Sequence, residues 1–214
     1  MRGAFAEALG TAFLLIAVVG SGIMAERLAQ GNDAVALLAN AVATGGALIA
    51  LITIFAPISG AHFNPAVTLF ECMSGRTPLR DLVLYIPAHI GGAITGVIVS
   101  HAMFALPLVQ ASQHVRASTG ELIGEVVATL GLLLTIWGTA RSRPEAVPTT
   151  VAAYIVGAYW FTSSTSFANP AVTLARSVTD TFSGIAPASV PGFLAAQLIG
   201  LVLAIGATKL LSDR

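Results

Sequence analysis

The string Asn-Pro-Ala-Val-Thr-Leu occurs twice, at 64–69 and 169–174, each time inside apolar, Gly-rich sequence. An Asn carboxamide offers two N–H donors and one acceptor. Asn as N-cap followed by Pro at the first helical position is a helix-start signal. A helix start carries partial positive charge. Two such starts, one per half of the chain, therefore imply two short helices that begin at membrane depth and face a shared polar path. There Asn64 and Asn169 could donate to a passing hydroxyl, while a cation would meet an unfavourable potential. Pro65, Ala66, Pro170 and Ala171 complete the two motifs. This chemistry is non-covalent and belongs to a pore.

Composition sets the surroundings. Of 214 residues 56% are hydrophobic and 9% charged, and mean hydropathy is +0.86. Soluble domains carry about a quarter charged residues, so the chain reads as an integral membrane protein. The formal net charge of zero gives no attraction to nucleic acid. The one cysteine, Cys72, leaves no internal disulfide or cysteine metal cluster; it reads as a packing residue. No zinc-protease His-Glu motif, nucleophile elbow or phosphate loop is found, so no enzyme activity, cofactor or metal is expected. The N-terminal run could pass for a signal peptide. Glu7 interrupts it, and it is long enough to span, so it reads as a retained first helix.

A spanning helix needs about 20 mostly apolar residues. Candidates are 4–24, 35–56, 82–105, 122–139, 147–161 and 190–211. Six spans put both termini on one side. The Asn-Pro-Ala segments fall after the second and fifth spans, too short to cross and too apolar for ordinary loops. Such backbone is tolerated only if buried or lining a wet cavity, so both are expected to re-enter and meet near the midplane. The repeat extends further: Glu7 opens the first span and Glu125 sits at the start of the fourth. Three spans plus a re-entrant segment, repeated, give an inverted pair. The expected fold is all-α, with six transmembrane helices and two re-entrant half-helices. It forms a single domain over 1–214, with repeats at about 1–110 and 118–214. Arg2, Arg76, Arg80, Arg141, Arg143, Lys209 and Arg214 fall on the side of the termini, against Arg27, Arg116 and Arg176 opposite, which favours cytoplasmic termini. Gly92 and Gly96, and Gly120 and Gly124, carry the spacing that lets helices approach closely.

Ser59-Gly60-Ala61-His62-Phe63-Asn64-Pro65-Ala66-Val67-Thr68, the second Asn169-Pro170-Ala171, and a Glu in the first and fourth spans resemble the aquaporin family over essentially the whole chain. The resemblance implies one pore per subunit for water or small neutral solutes, a homotetramer, and a multi-pass place in the cell (inner) membrane bilayer. It also implies that Glu7 and Glu125 brace the re-entrant loops by accepting backbone N–H groups. His62 is read as fixing the first loop, and His89 and Gln197 as interhelical partners.

One position departs from the family. Aquaporins resembling this chain carry Arg directly after the second Asn-Pro-Ala; here that residue is Val172. Aligned by spacing, the other constriction positions are Thr44, Gly157 and Ser166, with Phe167 as the alternative to Ser166. The set is small and mostly uncharged, and implies a wider pore. Arg176, one turn beyond Val172, either replaces part of the missing charge or anchors a loop or headgroup. The run 166–182 resembles a bacterial subgroup of aquaglyceroporin-like channels associated with arsenic resistance. That resemblance implies glycerol-like polyols, arsenite as As(OH)₃, methylated arsenicals and water as solutes. A water-selective aquaporin and an ion-coupled secondary transporter are the alternatives; only Glu7 and Glu125 could hold a coupling ion.

Overall fold

The computed structural model describes residues 1–212; Arg214, counted above among the basic residues near the termini, lies outside the described residues. Eight α-helices follow one another among the described residues: α1 (Arg2–Ala29), α2 (Asp33–Ser59), α3 (Pro65–Met73), α4 (Leu79–Met103), α5 (Thr119–Ser142), α6 (Val147–Phe161), α7 (Pro170–Ala175) and α8 (Val190–Leu211). No strand is found among the described residues. Five helices are each long and apolar enough to cross a membrane. The sixth expected span, α6, has 15 residues, about 22 Å at 1.5 Å per residue; the 3₁₀ turn Pro144–Ala146 precedes it directly. The short helices α3 and α7 are the two Asn-capped segments.

Packing repeats between the halves. Helix α1 packs on α2 and α4, α5 packs on α6 and α8, and α2 meets α6 between the two triplets. Small residues permit the tightest of these approaches. A Cβ on Gly92 or Gly96 of α4 would run into the carbonyl oxygens of Ala8 and Ala12 on α1. In the second half, a Cβ on Gly200 of α8 would stand 2.7 Å from the Val126 carbonyl of α5. The Gly120–Gly124 pair behaves differently. A Cβ on Gly124 would meet Ser163 and Ser164 at 3.1 Å, so this spacing clears room for the second re-entrant loop and not for a helix.

Candidate pore and its constriction

The two motifs form one cross-tied unit. Asn64 Oδ1 accepts the Ala66 N–H at 2.8 Å, and Asn169 Oδ1 accepts those of Ala171 and Val172 at 3.0 and 3.3 Å. Each carboxamide therefore caps its own helix. Each then crosses to the other loop: Asn64 Nδ2 donates to the Ala168 carbonyl at 2.7 Å, and Asn169 Nδ2 to the Phe63 carbonyl at 2.8 Å. One N–H of each amide remains, and both Asn side chains border the same cavity.

Each loop is held in a costly conformation by a buried carboxylate. Glu7 accepts the N–H groups of His62 and Phe63 at 3.0 and 2.6 Å, together with Ser59 Oγ at 2.5 Å and His89 Nε2 at 2.7 Å. Glu125 accepts those of Phe167 and Ala168 at 2.8 and 2.9 Å, and Gln197 Nε2 at 2.6 Å. The bonded N–H groups lie one and two residues before each Asn in both halves. The residues one and three before each Asn take left-handed φ: Ala61 (52°) and Phe63 (50°), then Ser166 (53°) and Ala168 (47°). Such backbone costs on the order of 1–3 kcal/mol per non-Gly residue and persists only where bonds over-determine it. His62 Nδ1 lies 2.9 Å from Thr68 Oγ1, tying the first loop to α3. His89 and Gln197 each reach the carboxylate of their own half, and Gln197 also donates to Thr173 at 2.8 Å.

A cavity of about 820 Å³ runs from the side bearing the N-terminus, where Glu71, Arg76, Asp81 and Glu145 border it, past Asn64 and Asn169 to Thr44, Tyr159, Val172 and Arg176. Its walls are stripes of residues four apart, which share a helix face: Thr44, Leu48 and Ile52 on α2, and Val147, Val151, Ile155 and Tyr159 on α6. At the mouth Arg76 pairs with Glu71 at 2.6 Å, and this hydrogen bond raises the Arg76 pKa. Cys72 lies outside the lining, with Sγ 3.8 Å from the Pro78 carbonyl.

One of the four expected constriction residues lies off the cavity wall. Thr44, Ser166 and Val172 border the cavity, but Gly157 does not. Two residues along a helix turn about 200°, so Gly157 lies off the stripe that ends at Tyr159. The aromatic ring there belongs to Tyr159, whose hydroxyl lies 3.3 Å from Thr44 Oγ1. The four-residue stripe on α6 was the signal in the sequence that could have found it. Ser166 and Phe167 both line the site, so they are neighbours there and not alternatives. Ser166 Oγ is buried without a hydrogen-bond partner.

A charged side chain also borders the cavity. Arg176 is 3% exposed and lies in the lining. Its Cζ stands 3.4 Å from the centre of the Phe167 ring, and its Nε donates to the Ser183 carbonyl. Arg116 approaches the same ring at 5.3 Å and donates from Nε to the Gly184 carbonyl at 2.9 Å. The loop that carries Arg116 lies along the segment after α7, through Gln110 N–H to Val178 and Ser112 N–H to Ser177, both 3.0 Å. Spacing could not have placed Arg116, which reaches the site from the loop between α4 and α5.

The model of the family described as major intrinsic protein matches residues 1–167. The chain belongs to the major intrinsic protein family. The matched stretch ends just before the second Asn-Pro-Ala, which the structure pairs with the first. Among relatives of this family, the aquaglyceroporin AqpS of Rhizobium meliloti (strain 1021) is 53% identical over 204 residues, covering 95% of this chain and 87% of the relative. A probable aquaporin TIP2-2 of Oryza sativa subsp. japonica is 31% identical over 73% of this chain and 64% of its own length. The X-ray structure of the aquaglyceroporin from Plasmodium falciparum matches with a TM-score of 0.74 over 95% of this chain and 93% of that one. At 21% identity it establishes the fold: an all-α membrane bundle of the major intrinsic protein type.

Proposed function

We propose that the chain is a passive channel for small neutral solutes: glycerol-like polyols, arsenite as As(OH)₃, methylated arsenicals, and water. The observation that carries this reading is the hydrogen-bond accounting at Asn64 and Asn169. Capping and cross-tying consume Oδ1 and one N–H of each carboxamide, which leaves one donor per Asn at the cavity. Two donors in line suit a solute that brings its own acceptors and no charge. The unpartnered Ser166 hydroxyl and the Thr44–Tyr159 pair offer further polar contacts along an otherwise apolar wall. The similarity to a protein named aquaglyceroporin supports the polyol class.

In this reading Asn64, Pro65, Ala66, Asn169, Pro170 and Ala171 form the pore centre. Thr44, Ser166 and Val172 form the constriction, joined by Tyr159 in place of Gly157. Glu7, Glu125 and His62 brace the loops. The chain acts as a single channel domain of two repeats, about 1–110 and 118–214, assembled as a homotetramer in the cell (inner) membrane. Cytoplasmic termini follow from the excess of basic residues on their side.

The deciding experiment compares osmotic water flow, glycerol flux and arsenite flux in the same proteoliposomes. A channel of this kind passes all three, without saturation and only down the gradient. Water flow alone would make it a water-selective aquaporin. Saturable, gradient-driven accumulation would make it a coupled transporter.

A further inference from the structure

Resting on that reading of the cavity, we propose that Arg176 is the residue that selects against charge, its guanidinium taking the part that Val172 leaves empty. The side chain is almost wholly buried, yet it borders the cavity. Of its five N–H donors, one is used by the Ser183 carbonyl; the two terminal NH₂ groups have no protein acceptor among the described residues. No carboxylate lies within 4.0 Å of either Arg176 or Arg116 among the described residues. A charge buried at membrane depth without a counter-ion is expensive, so a structural reason for keeping it must be strong.

Loop anchoring does not supply that reason. The segment after α7 is already held by Gln110 and Ser112 through backbone bonds, by Ala186 N–H to the His114 carbonyl at 2.7 Å, and by Ser183 Oγ to the Val18 carbonyl at 3.1 Å. These contacts fix the Ser183 carbonyl, and the carbonyl fixes Arg176. Phe167 then gives the guanidinium a flat support, a favourable arrangement for a desolvated cation. Arg116, approaching the same ring, adds a second positive charge behind the first. Carrying the charge on Arg176, one turn past Val172, leaves the wall at 172 aliphatic. Neutral solutes are then spared a guanidinium directly beside the motif, while monovalent cations such as sodium, methylammonium and hydronium still face its field.

The test reads a ratio. Wild type, Arg176→Leu, Arg176→Gln, Arg176→Lys and the double variant Val172→Arg/Arg176→Leu are reconstituted. Glycerol flux is then measured beside sodium and proton flux driven by a potassium diffusion potential. For a passing ion taken at about 8 Å from the guanidinium, with an effective dielectric constant of about 20, removing the charge should raise the cation-to-glycerol ratio about 30-fold in the Leu and Gln variants. Arg176→Lys should stay near wild type, and the double variant should return toward it, because a guanidinium at 172 restores the charge. Glycerol-conducting Leu or Gln variants with a wild-type ratio would overturn the proposal, as would a wild type that itself leaks cations. If Arg176→Leu does not assemble, Arg176→Gln decides alone, since it keeps a donor for Ser183. Absence of glycerol flux in wild type would instead sink the neutral-solute reading.

Discussion

Replacing Glu125 by Leu removes the acceptor of three donors at once: the Phe167 and Ala168 N–H groups and Gln197 Nε2. Deleting a buried charge relieves a desolvation cost of several kcal/mol. The backbone N–H groups, however, cannot be removed with it, and each orphan costs about 1–3 kcal/mol. At the low end the two orphans together cost about 2 kcal/mol, roughly a 30-fold shift against the native loop. The loop is poorly placed to absorb this, because Ser166 and Ala168 sit in left-handed conformations that these bonds maintain. Its collapse would move Phe167, and with it the support of Arg176, and would break the tie from Asn64 to the Ala168 carbonyl. Glycerol flux per unit of reconstituted protein should therefore fall at least about tenfold, with a lower thermal midpoint in detergent. Glu125→Gln keeps one acceptor but turns an NH₂ toward a donor, so it should rank between wild type and Leu. A Leu variant with wild-type flux and wild-type midpoint would refute the argument that the carboxylate holds the loop.

Other perturbations follow from the same geometry. Gly92→Val inserts a branched side chain against the Ala8 carbonyl of α1; it should cost at least about 2 kcal/mol and appear as reduced folded yield on size-exclusion chromatography. Tyr159→Ala removes the ring from the cavity wall and leaves Thr44 without its partner, so flux of five-carbon polyols should rise relative to glycerol in vesicle swelling assays. Val172→Arg places a second guanidinium one turn from Arg176. Glycerol flux should drop by about an order of magnitude, given the length and charge added, and equal flux in the two proteins would contradict the assignment of residue 172 to the throat.

Much of this molecule is written locally. The Asn-Pro pair encodes a capped helix start wherever it stands, and a duplicated pair in apolar runs implies two such starts at membrane depth. The intramembrane glutamates at 7 and 125 stand out because a carboxylate there needs donors, and the nearest ones are the strained loops. Helix lengths, the repeat and the departure at Val172 were all legible for the same reason: each rests on residue type and spacing along one segment. The throat was not. Which residue of α6 faces the cavity depends on helix phase, so spacing along the chain named Gly157 where Tyr159 borders the cavity. Arg176 and Arg116 meet at Phe167 only because the segment after α7 folds back on Ser183 and the loop after α4 lies along it. Those long-range backbone bonds carry no signature in any short stretch of sequence, and they set where the two guanidinium groups stand.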